Sequence, residues 1–250
     1  MIRPMNSSSI LRAIATAGFF ASTLLGDSVP SPDTLDRYLA NSRVACRAEE
    51  QAVEMEIQAS LPKLKKEGTM QGMKVISASG QVAYRFLRFT GDKLIKTDVI
   101  GRFLTAEAQP PERFGNVAIT RENYKFHYLR TADYNNSPAY VYQLKPRKKR
   151  TGLFKGELWL DATTAAPLRE SGELVKSPSI FVQHFRFVRD YPEHAFCGAP
   201  QRTSITVQTR IVGSAEMIVL QHPVPGTWQP AEVSPVSAGS TSDPDGGNGR

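Results

Sequence analysis

The sequence predicts a mainly β fold of the α+β kind: a curved antiparallel sheet wrapped around a small number of helices. Three observations predict it. Residues 138–191 read as four short strands in succession, at 139–144, 153–161, 167–175 and 180–191. Each alternates apolar and polar residues with a period of two, and compact turns at 145–152, 162–166 and 176–178 separate them, which is the pattern of an antiparallel meander. The same period recurs upstream and downstream, for a total of nine or ten strands. Only two stretches carry the apolar spacing of a helix. Two amphipathic helices cannot cover one face of so large a sheet, so the sheet must curl around them and present an apolar concave side.

The elements follow in order. Arg3 and Arg12, with no acid in residues 1–26, precede the apolar run AIATAGFFASTLL at 13–25. This reads as a secretory signal, since the run is short for a permanent span; an uncleaved N-terminal anchor is the other reading. Asp27, not Cys, follows Gly26, so lipid modification at this end is not expected. Ser31, Pro32 and the acids Asp33 and Asp36 start a helix that places Leu35, Tyr38 and Leu39 on one face. From Ala52 the alternation of Val53, Met55, Ile57 and Ala59 begins a strand. Turn signals at Glu67-Gly68 and Ser79-Gly80 divide the region into strands at 52–65, 70–78 and 81–89. Asp98 can cap a second helix running to Gln109, with Val99, Ile100, Phe103 and Leu104 as its apolar stripe and Pro110-Pro111 as its stop. Strands at 116–120 and 124–130 lead through the Asn135-Asn136 turn into the central meander. Two more, at 203–212 and 215–221, close the sheet around Gly213. The expected organisation is thus a signal at 1–26, one domain at 27–224 and a disordered tail at 225–250, where Pro, Gly, Ser and Asp replace the periodic apolar residues.

At 250 residues with 40% apolar composition the chain can bury one sizeable core. The net charge of +7 suits anionic partners such as lipid head groups and equally suits solubility. The run Lys145-Pro-Arg-Lys-Lys-Arg150 is the sharpest charge feature: either a peripheral contact with phosphates at a membrane surface or a solvated hairpin loop. Cys46 and Cys197 can form a disulfide in an oxidising compartment, closing a loop of about 150 residues, or remain two distant thiols. None of the histidines His127, His184, His194 and His222 has metal-ligand spacing, and neither a nucleophile elbow nor a phosphate loop is present. No metal, cofactor or catalytic residue is therefore assigned, and an enzyme is not expected. Aromatic–basic interleaving at Tyr84–Phe89 and Phe185–Phe187 resembles a nucleic-acid platform, but strand alternation explains it and an export signal argues against nucleic acid. Trp159 points to the opposite face from Leu158 and Leu160, so it either packs or lines a cavity.

Gly156-Glu-Leu-Trp-Leu-Asp-Ala-Thr-Thr164, followed by Pro167-Leu-Arg, resembles a signature of outer-membrane lipoprotein-sorting-type proteins. Phe86-Leu-Arg-Phe, Gly91-Asp92-Lys93 and Val99–Glu107 are similar to the same group, and the likeness extends over residues 33–222. The group includes the LolA/LolB lipoprotein carriers and the lipid-recognition domain of RseB-type regulators. The resemblance implies an unclosed antiparallel half-barrel with helices in its mouth, acyl chains on the concave face, and a periplasmic setting. The expected function is a lipid- or lipoprotein-binding carrier, the alternative an envelope sensor that binds a partner protein with the same fold. Phe86, Ile100, Phe103, Leu104, Leu158 and Trp159 are the candidate lining residues.

Overall fold

The computed structural model describes residues 33–44, 51–77, 81–109, 117–192 and 200–224. The expected signal, the expected tail, Cys46 and Cys197 lie outside the described residues. Helix α1 (Asp33–Val44) comes first, and its Leu35, Tyr38 and Leu39 are buried as its spacing requires. Three strands follow: β1 (Gln51–Leu61), β2 (Lys66–Ile76) and β3 (Val82–Gly91). A π-helical stretch, Ile95–Gly101, then runs into the short helix α2 (Arg102–Glu107). Seven more strands follow among the described residues: β4 (Tyr124–Tyr134), β5 (Ser137–Pro146), β6 (Phe154–Asp161), β7 (Pro167–Leu174), β8 (Val182–Asp190), β9 (Arg202–Thr209) and β10 (Ser214–Pro223).

All ten strands form one antiparallel sheet in the order β3-β2-β1-β10-β9-β8-β7-β6-β5-β4. β3 and β4 end the ladder and do not pair with each other, so the sheet is not closed into a barrel. It is nevertheless strongly curved. A flat sheet of this many strands would be about 43 Å wide at the usual spacing. Yet Met70 of β2, Val219 of β10, Phe187 of β8 and Leu144 of β5 belong to one buried cluster together with Ile95, Ile100 and Leu104 of the helical segment and Leu35 and Leu39 of α1. Alternation places these side chains on the inner face: Val53, Met55, Ile57, Ala59 and Leu61 of β1 are all buried, while Glu54 and Gln58 are exposed. The unclosed half-barrel implied by the resemblance is thus the architecture of the chain, its helices lying against the concave face.

Tight turns set the ladder. Asn135 and Asn136 both take positive φ, the twist that a two-residue hairpin needs. Asp161 closes the β6–β7 turn: its carboxylate accepts from the backbone amides of Thr163 at 2.9 Å and Thr164 at 2.7 Å.

Three expectations are corrected. The β1–β2 turn is not at Glu67-Gly68 but at Pro62–Leu64, where Lys65 takes φ 50° and its amide donates to the Pro62 carbonyl. Gly68 lies inside β2 because a Cβ there would stand 2.9 Å from Ile95 Cγ2; the glycine makes room for the helix rather than for a turn. Asp98 does not cap the second helix, which begins after Asp92. The Asp92 carboxylate accepts the Leu94 amide at 2.8 Å and meets the Lys66 ammonium at 3.1 Å, and these contacts hold it below the usual carboxylate range. Asp98 instead pairs with Arg102 one turn on, at 3.0 Å. Finally, residues 117–123 are not a strand: the Asn123 side chain donates to the Ala118 carbonyl and the Tyr124 amide to the Thr120 carbonyl, folding the segment into a turn before β4.

Candidate functional site

The edge strand β3 and the helical segment that follows it leave a groove between them. The helical segment packs close to β2 at Gly68, where no side chain stands in its way. Gly68 accepts Ile95, and a Cβ on Gly72 would lie 2.6 Å from Leu87 Cδ2, so Leu87 folds over the glycine. Opposite Gly72 the ladder slips, since one residue of β2 faces both Phe86 and Leu87 of β3. At this bulge Phe86 takes φ 56°, a left-handed conformation costly for a bulky residue, and its ring is 78% exposed. The resulting open groove has a volume of about 610 Å³ and is lined by Tyr84, Leu87, Gly101, Leu104, Thr105 and Ala108.

A buried polar cluster stands at one side of the groove. Register places Lys74 on the inner face, opposite Val53 of β1 and Tyr84 of β3. Its side chain is only 7% exposed, and its ammonium pairs with Glu107 at the end of α2. The second Glu107 oxygen accepts the Tyr84 hydroxyl at 2.5 Å. Burial first, and the Glu107 charge second, push the Tyr84 phenol well above its ordinary range. Further round the concave face Glu170 of β7 meets Arg189 of β8 at 3.2 Å, close to Tyr38 of α1 and to Tyr191. Burial works to depress the Arg189 guanidinium, and the Glu170 carboxylate beside it outweighs burial and holds it above its usual value. Glu107 adds to that effect, so curvature brings the charges of β2, α2, β7 and β8 within range of one another.

The residues expected to line a cavity are distributed as follows. Leu104 lines the groove. Ile100 and Leu158 are fully buried in the core cluster, and Phe103 packs half-buried against it, so these three belong to the packed core rather than to the groove wall. Phe86 stands exposed at the groove's strand edge. Trp159 is on the convex face: Arg130 stacks on it at 5.3 Å, Tyr134 meets it edge-on at 6.2 Å, and its indole N–H donates to Glu157 at 3.0 Å. Sequence reasoning missed Tyr84, Leu87 and the Lys74–Glu107 pair. Lys74 was open to discovery, because it shares the inward phase of Met70 on an amphipathic strand and is therefore a charge on an apolar face.

Among the described residues no three His, Cys, Asp or Glu converge to hold a metal ion, and no helix is long and apolar enough to cross a membrane.

No protein-family profile and no curated protein matches the chain. Solved structures do resemble it. A LolA superfamily protein from Nitrosomonas europaea is 12% identical over 78% of this chain and 92% of that one, with a TM-score of 0.37. A protein domain from Vibrio parahaemolyticus, described as of the outer membrane lipoprotein-sorting type, is 12% identical over 78% and 92%, with a TM-score of 0.38. Pseudomonas aeruginosa MucB, solved in complex with MucA, is 11% identical over 78% and 94%, with a TM-score of 0.27.

Proposed function

We propose that the chain is an exported, periplasmic, non-enzymatic binding protein that holds an acyl chain of a lipid or lipoprotein in the groove between β3 and α2. One observation carries the reading: an open groove of about 610 Å³ with apolar walls, beside an inward-facing lysine–glutamate pair. Groove size falls in the range of small-ligand sites, which combine apolar walls with a few polar groups that fix orientation. Each methylene removed from water contributes about 0.8 kcal/mol. Leu87 and Leu104 offer the apolar contact, and Lys74, Glu107 and Tyr84 are placed to meet the polar end of the ligand. The export signal read from the sequence and the resemblance to lipoprotein-sorting proteins support the same reading.

Native mass spectrometry of the purified protein, with lipid extraction of the same sample, tests it. Stoichiometric lipid or acylated peptide is the expected result. Ala108→Trp fills the groove from an exposed position and should cut that occupancy several-fold while leaving the thermal midpoint unchanged. An apo mass that persists after incubation with phospholipid and lipopeptide sinks the carrier reading. A second reading, an envelope sensor that docks a partner protein, is favoured by β3 itself: it ends the ladder and exposes Phe86 and Phe89.

A further inference from the structure

The hairpin tips of the half-barrel fall into two sets. Because neighbouring strands alternate in direction, the β1–β2, β9–β10, β7–β8 and β5–β6 connections all emerge at one end. These are residues 62–65, 210–213, 175–181 and 147–153. Together they contain eight Lys and Arg and no Asp or Glu. The connections at the other end, residues 77–81, 135–136, 162–166 and 191–201, contain no Lys or Arg and one Glu. Of the acids beside the basic rim, Asp92 faces Lys66 and Glu173 faces His184 and Arg186, while Glu67 and Glu216 are exposed.

The same tips carry four of the eight large apolar side chains that stand exposed among the described residues. Ile180 is 80% exposed, Ile211 70%, Phe181 54% and Leu64 40%. They form one rim rather than scattered loops. The Arg210 amide and guanidinium donate to the carbonyls of Phe181 and Ile180, at 3.0 and 3.1 Å, tying the β9–β10 tip to the β7–β8 tip. Gly213 lies against the Lys63 side chain, joining the β1–β2 tip. On the other side an open cleft of about 770 Å³ runs between the β7–β8 and β5–β6 tips, bordered by Arg147, Lys148, Lys149, Lys155 and Lys176.

The geometry points to this rim as a docking surface for an anionic phospholipid bilayer. Leu64, Ile180, Phe181 and Ile211 enter the headgroup boundary, and the lysines and arginines beside them meet lipid phosphates. Apolar side chains interleaved with cations are what an interfacial membrane contact uses. A protein partner would have to supply a large acidic surface as well as four separate apolar sockets, and a bilayer offers both everywhere. The strands then stand roughly upright on the membrane. This surface is distinct from the groove, and the inference does not depend on what the groove holds.

Vesicle co-sedimentation of the whole chain tests it, with phosphatidylglycerol mixed into phosphatidylcholine against phosphatidylcholine alone. Binding should be at least about tenfold tighter to the anionic vesicles and should weaken as salt is raised. Ile180→Ser with Ile211→Ser, and separately Lys148→Glu with Lys149→Glu, should each lower it about tenfold. All four sites are surface loops, so circular dichroism should be unchanged, and so should the lipid content found by native mass spectrometry. Equal binding to both vesicles, binding to neither, or undiminished binding by both double variants overturns the proposal; binding to neither would leave the rim to an acidic protein.

Discussion

Phe86 is held in a left-handed backbone conformation by the bulge it occupies, and it buries little in return. Such a conformation costs about 1–3 kcal/mol for a residue with a Cβ. Phe86→Gly should therefore raise stability by about 1 kcal/mol, read as a higher urea midpoint. If the ring guards the edge of a lipid groove, the same variant should lose co-purified lipid. Nothing in the sequence announces this residue: positive φ is legible at glycine or asparagine, as at Asn135-Asn136, and a phenylalanine within an alternating strand gives no such sign. The cap of the following helix was misread for a related reason. Asp92 and Asp98 are equally good cap residues, and only tertiary contact with Lys66 decides between them.

At the scale of elements, β6 and β7 touch through glycines. Gly156 pairs with Gly172, and a Cβ on Gly156 would lie 1.9 Å from the Ser171 carbonyl oxygen. The Phe154 ring occupies the space over Gly172 and meets Phe187 edge-on at 4.9 Å. Gly156→Ala should thus cost about 2–3 kcal/mol in urea denaturation, through backbone displacement rather than lost burial. These hairpins were the most legible part of the fold, since alternation and turn chemistry agree along residues 137–190. Residues 117–123 were not. Their short apolar alternation matches a strand template, yet the side-chain hydrogen bond of Asn123 turns the chain instead. Gly68 shows the same limit from another side: a glycine that accommodates a helix looks, in sequence, like one that makes a turn.

Across the whole molecule the concave face gathers tyrosines. Burial pushes both Tyr124 and Tyr142 up to about 12, and it also raises Tyr38, Tyr84 and Tyr191. In the unfolded chain a tyrosine ionises near pH 10. The folded state therefore keeps protons that the unfolded state releases. The resulting stability is complete below about pH 10 and is lost as pH rises toward about 12. The urea midpoint should fall steeply across that window, and Tyr124→Phe should make the fall shallower. Curvature itself was legible, because two helical stripes cannot cover ten strands. The buried charges inside were not, because which strands curl together is a property of the whole curved sheet and not of any one segment.

The strand order has a kinetic consequence. Every neighbouring pair is consecutive in the chain except β1 with β10, which are joined from Val53–Pro223 to Ser60–Glu216. Hairpins of β1–β3 and of β4–β10 can zip locally, each closing only short loops. The seam between them has to bring together segments about 160 residues apart, and a search of that length slows folding more than any hairpin does. On a ribosome, the first three strands must wait with β1's free edge exposed until β10 has emerged, so the half-barrel acquires its shape last of all, at a single line of hydrogen bonds.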